Sequence, residues 1–385
     1  MLPGRHLRRD DFVSIARAIG IDANVGNARQ TRLGGLITLM LGACSAPSGS
    51  PNLGPDAAMG GSGGGGAGGA VGGPARLQAP ATNFGVAAVD DTLAVAYYEP
   101  GTFTEGASDR RLLLQLFDEA LAARGEVLEL DRQASDGQMA PPTVGTDGTT
   151  FVICWSPQAQ VRCFQVRRDG ASSLFFQTTG VTPTVAFRPP TWALAYGISR
   201  DRTSTTEVHV TRFAPEGTAV GDVATFPYDS YFSRPVSFVS TQSGFALLAG
   251  SDTVHLYRLG PDLAVVGAPI DTGLMPWSSD ALAATDDEAA LAVAIPYGNV
   301  LMHVRGGDIV LRQNRTCCGK TGGSAAVAAA GSTFAVAWWS TGGALTFFDD
   351  VDHAAATPED TLDDSPPLAV VMFRSRLLVV TVALP

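Results

Sequence analysis

The sequence predicts an all-β domain built from one unit used about seven times. Three observations carry this reading. A strand–turn–strand unit recurs, most clearly as PTVGTDGTTFVICW over residues 142–155, PTVAFRPPTWALAY over 183–196 and SAAVAAAGSTFAVAW over 324–338, with weaker copies at 84–97, 235–249, 280–294 and 367–381. The residues that end the second strands, Tyr97, Trp155, Tyr196, Ala249, Ala294, Trp338 and Thr381, return after 41 to 58 positions, about 47 on average. No helical period of useful length follows residue 75, which excludes a helical solenoid.

Repeats of roughly 40 to 50 residues with three to four strands each are the signature of β-propeller blades. Further strands fit between the markers, at 112–117, 161–166, 208–213 and 254–259. The paired strands are rich in Ala, Val and Gly with blurred alternation, as expected of sheets covered on both faces by their neighbours. The expected architecture is therefore a β-propeller of seven blades, with six as the competing count. The last copy, 367–381, has only two strands before the chain ends at Pro385. Residues 75–78 are expected to add an outer strand to it, closing the ring through both termini and removing an open edge.

Ahead of this body the chain divides into three. Arg29 and Arg32 precede an apolar run over 33–43 that ends Leu41-Gly42-Ala43-Cys44, the pattern of a signal peptide. The run is about half of the roughly 20 residues a membrane-spanning helix needs. Signals begin near their charged end, so residues 1–24 are read as an upstream extension from a misplaced start, with Val25, which GTG can encode, as the first residue of a signal over 25–43. From 44 to 74 the chain is nearly all Ser, Pro, Gly and Ala; it is a flexible tether with a reach on the order of 30 Å. Residues 75–385 form the propeller domain.

The Leu-Gly-Ala-Cys ending resembles the lipobox of bacterial lipoproteins. That resemblance implies a diacylglycerol on the Cys44 thiol, cleavage before it, and, with Ser45 and not Asp following, sorting to the outer membrane, facing periplasm or surface. An ordinary signal with an incidental cysteine is the other reading. As a whole the chain resembles bacterial lipoproteins that carry a propeller behind a Gly/Ser tether. It has neither the Gly-His and Trp-Asp marks of WD40 repeats nor the Asp-box of sialidases, so the resemblance assigns no functional residues.

Charge narrows the partners. With 37 acidic against 26 basic side chains the formal net charge is −11, which repels a phosphate backbone and argues against nucleic acid. The expected associations are the membrane, through the lipid, and an unidentified protein or glycan, by a monomer.

Candidate chemistry is sparse. Cys154 and Cys163 flank a turn near Pro157 and suit a cross-strand disulfide in an oxidising compartment, with buried free thiols as the alternative. Cys317 and Cys318 are adjacent in a polar loop and suit a loop-stiffening vicinal disulfide. The pair resembles that of quinone-dependent alcohol dehydrogenase propellers, but this chain lacks their cofactor-docking repeats, and no cofactor is expected. Cys318-Gly319-Lys320-Thr321 is not a phosphate loop, because Asn314 stands where the first Gly is needed.

His209 and His255 occupy matching places one repeat apart, whereas His303 is misregistered and faces the other side of its strand; no metal site is expected. The acidic group Asp349, Asp350, Asp352, Glu359, Asp360, Asp363 and Asp364 lacks the turn Gly of a calcium loop. No catalytic constellation is expected, and the turn aromatics Tyr228, Tyr231, Phe232, Trp277 and Tyr297 are the candidate ligand contacts. The preferred function is a non-catalytic binding or scaffold module; the alternative is an enzyme acting on envelope or extracellular polysaccharide through carboxylates near the channel.

Overall fold

The computed structural model describes residues 36–42, 76–77, 84–99, 103–104, 107–135, 140–199, 205–230, 236–274, 279–286, 288–295, 298–316, 325–330, 333–338, 344–348, 367–373 and 376–383. Among these residues the strands form seven antiparallel sheets, and each repeated unit supplies the first two strands of one sheet. Sheet 1 begins with Phe84–Val89 and Thr92–Glu99, sheet 2 with Thr143–Thr146 and Thr150–Trp155, and sheet 3 with Val181–Arg188 and Thr191–Ser199. Sheet 4 begins with Phe238–Ser240 and Phe245–Ala249, and sheet 5 with Ser279–Ala284 and Glu288–Ile295. Sheet 6 begins with Ala325–Ala330 and Thr333–Trp338, and sheet 7 with Pro367–Phe373 and Arg376–Ala383.

The first strand of each sheet touches the first strand of the next, and that of sheet 7 touches that of sheet 1. Small residues make this approach close. A Cβ at Gly85 would overlap the carbonyl of Pro142, and one at Gly145 would press on Val185 and on the Trp192 ring, so inner strands bearing larger residues there would be pushed apart. The fold is an all-β propeller.

Burial is greatest on the second strands, above that of the first strands inside them and of the outer strands beyond. Phe151 to Trp155 and Phe245 to Ala249 are buried at every position, whereas the outer strand Ser172–Thr179 alternates between exposed and half-buried. Second strands are covered on both faces, which is why their sequences lose the period of two. Apolar clusters fill the contacts between successive sheets from 1 to 6, anchored by Trp155 between sheets 1 and 2, Trp192 between 2 and 3, Phe245 between 3 and 4, Leu291 between 4 and 5, and Phe334 between 5 and 6. Burying a side chain of this size contributes roughly 1.5–3 kcal/mol, so these contacts carry the fold.

Sheet 7 draws on both ends of the chain. Arg376–Ala383 pairs on one side with Pro367–Phe373 and on the other with Leu36–Gly42. Arg76–Leu77 does join this sheet, but on Leu36–Gly42 and not directly on the C-terminal strand. The apolar run that the sequence reads as the core of a signal is thus a strand in the folded chain.

Candidate functional site: a cleft where three turns meet

Among the described residues, the turns between first and second strands are tied across sheets in two groups, sheet 1 with sheet 2, and sheet 3 with sheets 4 and 5. Arg168 Nη2 donates to Asp90 Oδ2 and to the Gly148 carbonyl, each at 2.7 Å, linking the first turns of sheets 1 and 2. Arg188 Nε donates to the Gln242 carbonyl at 3.2 Å, linking sheets 3 and 4. The Ser243 amide donates to Asp286 Oδ1 at 2.6 Å, linking sheets 4 and 5.

Charge at these turns is largely compensated. Arg124 donates to both Asp91 Oδ2 and Thr92 Oγ1, and its hydrogen bond holds the Asp91 carboxyl below the usual carboxylate range. Asp147 caps its own turn: Oδ1 accepts from the amides of Thr149 and Thr150 and from the Thr149 hydroxyl, and Oδ2 accepts from the Thr150 hydroxyl. Burial pushes its carboxyl up, but these bonds outweigh burial and leave it below the ordinary value.

A cleft of about 550 Å³ opens between the first turns of sheets 3, 4 and 5. Phe187, Arg188 and Pro189 line it from sheet 3, Ser240, Thr241 and Gln242 from sheet 4, and Ala284 and Thr285 from sheet 5. Two of its hydroxyls are already engaged locally. Thr241 Oγ1 accepts from the Gly244 amide, whereas Thr285 Oγ1 accepts from the Glu288 amide and donates to the Glu288 carbonyl at 3.4 Å, which fixes both turns. The lining thus offers one guanidinium, several hydroxyl and amide groups and one ring. No carboxylate, His or Cys lines it.

Two other polar clusters engage their carboxylates with internal partners, although His303 Nδ1 is buried without a hydrogen bond. Asp131, only 9% exposed, accepts from Arg162 Nε at 2.6 Å, Trp155 Nε1 at 3.1 Å and Gln133 Nε2 at 3.2 Å, which binds the outer strand of sheet 1 to sheet 2. Glu288 accepts from Arg305 Nε at 2.6 Å and meets the buried His303 Nε2 at 3.0 Å. Carboxylates occupied in this way hold strands together.

The residues singled out from the sequence fall in several places. Cys154 and Cys163 are opposite each other in register and joined in a disulfide within the contact between sheets 2 and 3. Tyr228 is buried in the cluster between sheets 3 and 4, where packing withdraws its ring from solvent; it is not a surface contact. Tyr231, Phe232, Trp277, Tyr297, Cys44, Cys317, Cys318 and the acidic group from Asp349 to Asp364 lie outside the described residues.

The three histidines do not converge. His209 packs on Tyr196 and His255 on Tyr257, whereas the buried His303 packs on Phe334 of sheet 6. Among the described residues no three His, Cys, Asp or Glu side chains gather as a metal site would require. The cleft residues Arg188, Thr241, Gln242 and Thr285 were missed from the sequence. Their signal is positional: each sits in the first turn of its repeat.

No family model matches the chain, and no curated protein matches it in sequence. Among solved structures it is similar to an acylaminoacyl peptidase of Pyrococcus horikoshii, with TM-score 0.50 and 8% identity over 78% of this chain and 49% of the peptidase. The chain therefore spans about half the length of that protein. It is also similar to the β-propeller domain of the Trilobed protease of Pyrococcus furiosus, with TM-score 0.47 and 8% identity over 76% of this chain and 88% of that one. The Dos1 propeller aligns with TM-score 0.47 and 9% identity over 79% of this chain and 93% of its own. Likeness at this identity concerns the fold and carries no activity across.

Proposed function

We propose that this chain is an exported, lipid-anchored propeller that acts as a non-catalytic binding module at the cell envelope, taking a protein or glycan at the cleft between sheets 3, 4 and 5. In this reading the seven sheets are the seven blades of one closed ring. The cyclic order of contacts between first strands, which returns from sheet 7 to sheet 1, supports both that count and the closure.

The observation that carries the function is the cleft lining. An arginine, a ring and several hydroxyl and amide groups suit recognition of a polar ligand, whereas hydrolysis of a polysaccharide asks for two carboxyls about the scissile bond. The buried disulfide supports export, since such bonds persist in oxidising compartments. Cys44 holds the lipid, the tether over 45–74 sets the domain off the outer membrane, and the acidic surface disfavours nucleic acid.

Two measurements test this. Labelled palmitate is expected on the protein in cells and is lost in Cys44→Ser. Binding of envelope glycans and peptides to the isolated protein is expected to weaken at least about tenfold, or roughly 1.4 kcal/mol, in Arg188→Ala. Ligand binding that ignores Arg188, or cleavage of a polysaccharide by the purified protein, overturns the reading.

A further inference from the structure

We propose that the outer edge of Arg376–Ala383 competes with export for Leu36–Gly42, so that a chain that folds before export withholds its own Cys44 from lipidation. The proposal rests on the lipoprotein reading of Cys44 above. It arises because two incompatible roles fall on the same seven residues.

In sheet 7 Leu36–Gly42 runs antiparallel to Arg376–Ala383 and faces it at seven successive positions, from Leu36 opposite Ala383 to Gly42 opposite Leu377. As the apolar core of a signal, the same run has to leave the domain and enter the export machinery. A strand held in a sheet by its backbone groups cannot also be presented as a free segment. Gly42 is one residue short of the Ala43–Cys44 bond that maturation would cut. Pairing up to Gly42 therefore leaves one residue between the sheet and the bond to be cut, too little for a peptidase to take the chain as an extended substrate.

Among the described residues, no other strand of the sheet replaces this one directly. Arg76–Leu77 faces Leu36–Gly42 at two positions and runs antiparallel to it, hence parallel to Arg376–Ala383. To occupy the vacated place as an antiparallel partner it would have to reverse. The edge it would cover reads RLLVVTVA, an apolar, β-branched edge that pairs readily with an extended strand.

The order of synthesis decides which role prevails. The acceptor is made last, and the roughly 330 residues between the two strands take on the order of 20–70 s to translate. During that interval the run has no partner in sheet 7 and is free for export. A chain that misses the interval closes sheet 7 on its own signal.

The test uses the uncleaved precursor held in the cytosol, with a protease site inserted between Gly64 and Gly65. After cutting, the N-terminal fragment is expected to remain bound on size exclusion, and the amides of residues 37–42 and 377–382 to exchange slowly. Val380→Pro, which removes a backbone donor from the strand held between Leu36–Gly42 and Pro367–Phe373, is expected to release the fragment. In exporting cells it raises the lipidated fraction at least about twofold.

Prompt loss of the fragment from the wild-type chain, with fast exchange at 37–42, overturns the proposal even where Cys44 is lipidated. A bound fragment with no lipid on Cys44 in any exporting cell overturns it by the other route, because the lipoprotein reading has then failed while the strand pairing stands. The wild-type cut and exchange decide the matter if Val380→Pro does not fold.

Discussion

The contact between sheets 2 and 3 and the contact between sheets 5 and 6 fill the same kind of space with different side chains. Between sheets 2 and 3, Trp192 and Phe213 are fully buried, Phe187 lies 4.9 Å from Trp192 and Phe176 lies 4.3 Å from Phe213, centroid to centroid, with the Cys154–Cys163 disulfide beside them. Gly145 on the facing strand leaves room for the indole. Between sheets 5 and 6 the described cluster is Ala283, Ala290, Leu301, Phe334 and Val336, with Ala281 and Ala329 packed against it. One contact reaches close packing by several large rings set against a glycine, the other by one phenylalanine, Phe334, set among alanines and aliphatic side chains. Both satisfy the same density requirement, but they fail in opposite directions.

The largest expected effect follows from emptying the aromatic contact. Trp192→Ala removes the largest side chain there and leaves a cavity bounded by two rigid sheets, so unfolding in urea is expected to show a loss of about 3–5 kcal/mol. A loss below about 1 kcal/mol would mean that the sheets collapse onto the gap and that this contact is as adaptable as its counterpart. The mirror experiment overfills the small-residue contact. Ala290, buried against Ala283 and Leu301, has no room for three more carbons, and Ala290→Leu is expected to cost about 1–3 kcal/mol by the same measurement. A neutral or stabilising Ala290→Leu would show a void between sheets 5 and 6 and dissolve the contrast.

The smallest expected effect lies at the turn that leads into the aromatic contact. The folded-state pKa of Asp147 is depressed, so the unfolded chain takes up the proton first. Its contribution is present above the ordinary carboxylate value of about 4 and is lost as pH falls through the lower folded value. Asp147→Ala is expected to cost about 1 kcal/mol at pH 7. The difference from wild type is expected to shrink as pH is lowered below about 4. A difference that persists unchanged at pH 3 would assign the effect to packing of the turn and not to the charge.

Much of the fold was legible because its signals are local. The hairpin over residues 142–155 announces itself by Asp147-Gly148 between two β-rich runs, and the structure places strands at Thr143–Thr146 and Thr150–Trp155 on either side. The extra strand expected at 208–213 lies within Thr205–Phe213. The cleft was less legible. Tyr228 and Phe187 are both aromatics at strand ends, yet Tyr228 is buried between sheets 3 and 4 while Phe187 lines the cleft. A run whose two faces are both apolar gives no clue to which side chain meets solvent, because the covering atoms come from a repeat some 45 residues away.

By itself the sequence determined the β class, the repeated unit and the acidic balance. Each depends on composition or on spacing within a few tens of residues. Only the tertiary structure decided which first turns converge, since Arg188, Gln242 and Thr285 come together through contacts between three sheets that no single repeat contains. The place of Leu36–Gly42 was decided in the same way. An apolar run of that length can enter a membrane machinery or complete a sheet, and what selects the sheet is an unfilled backbone edge at the far end of the chain.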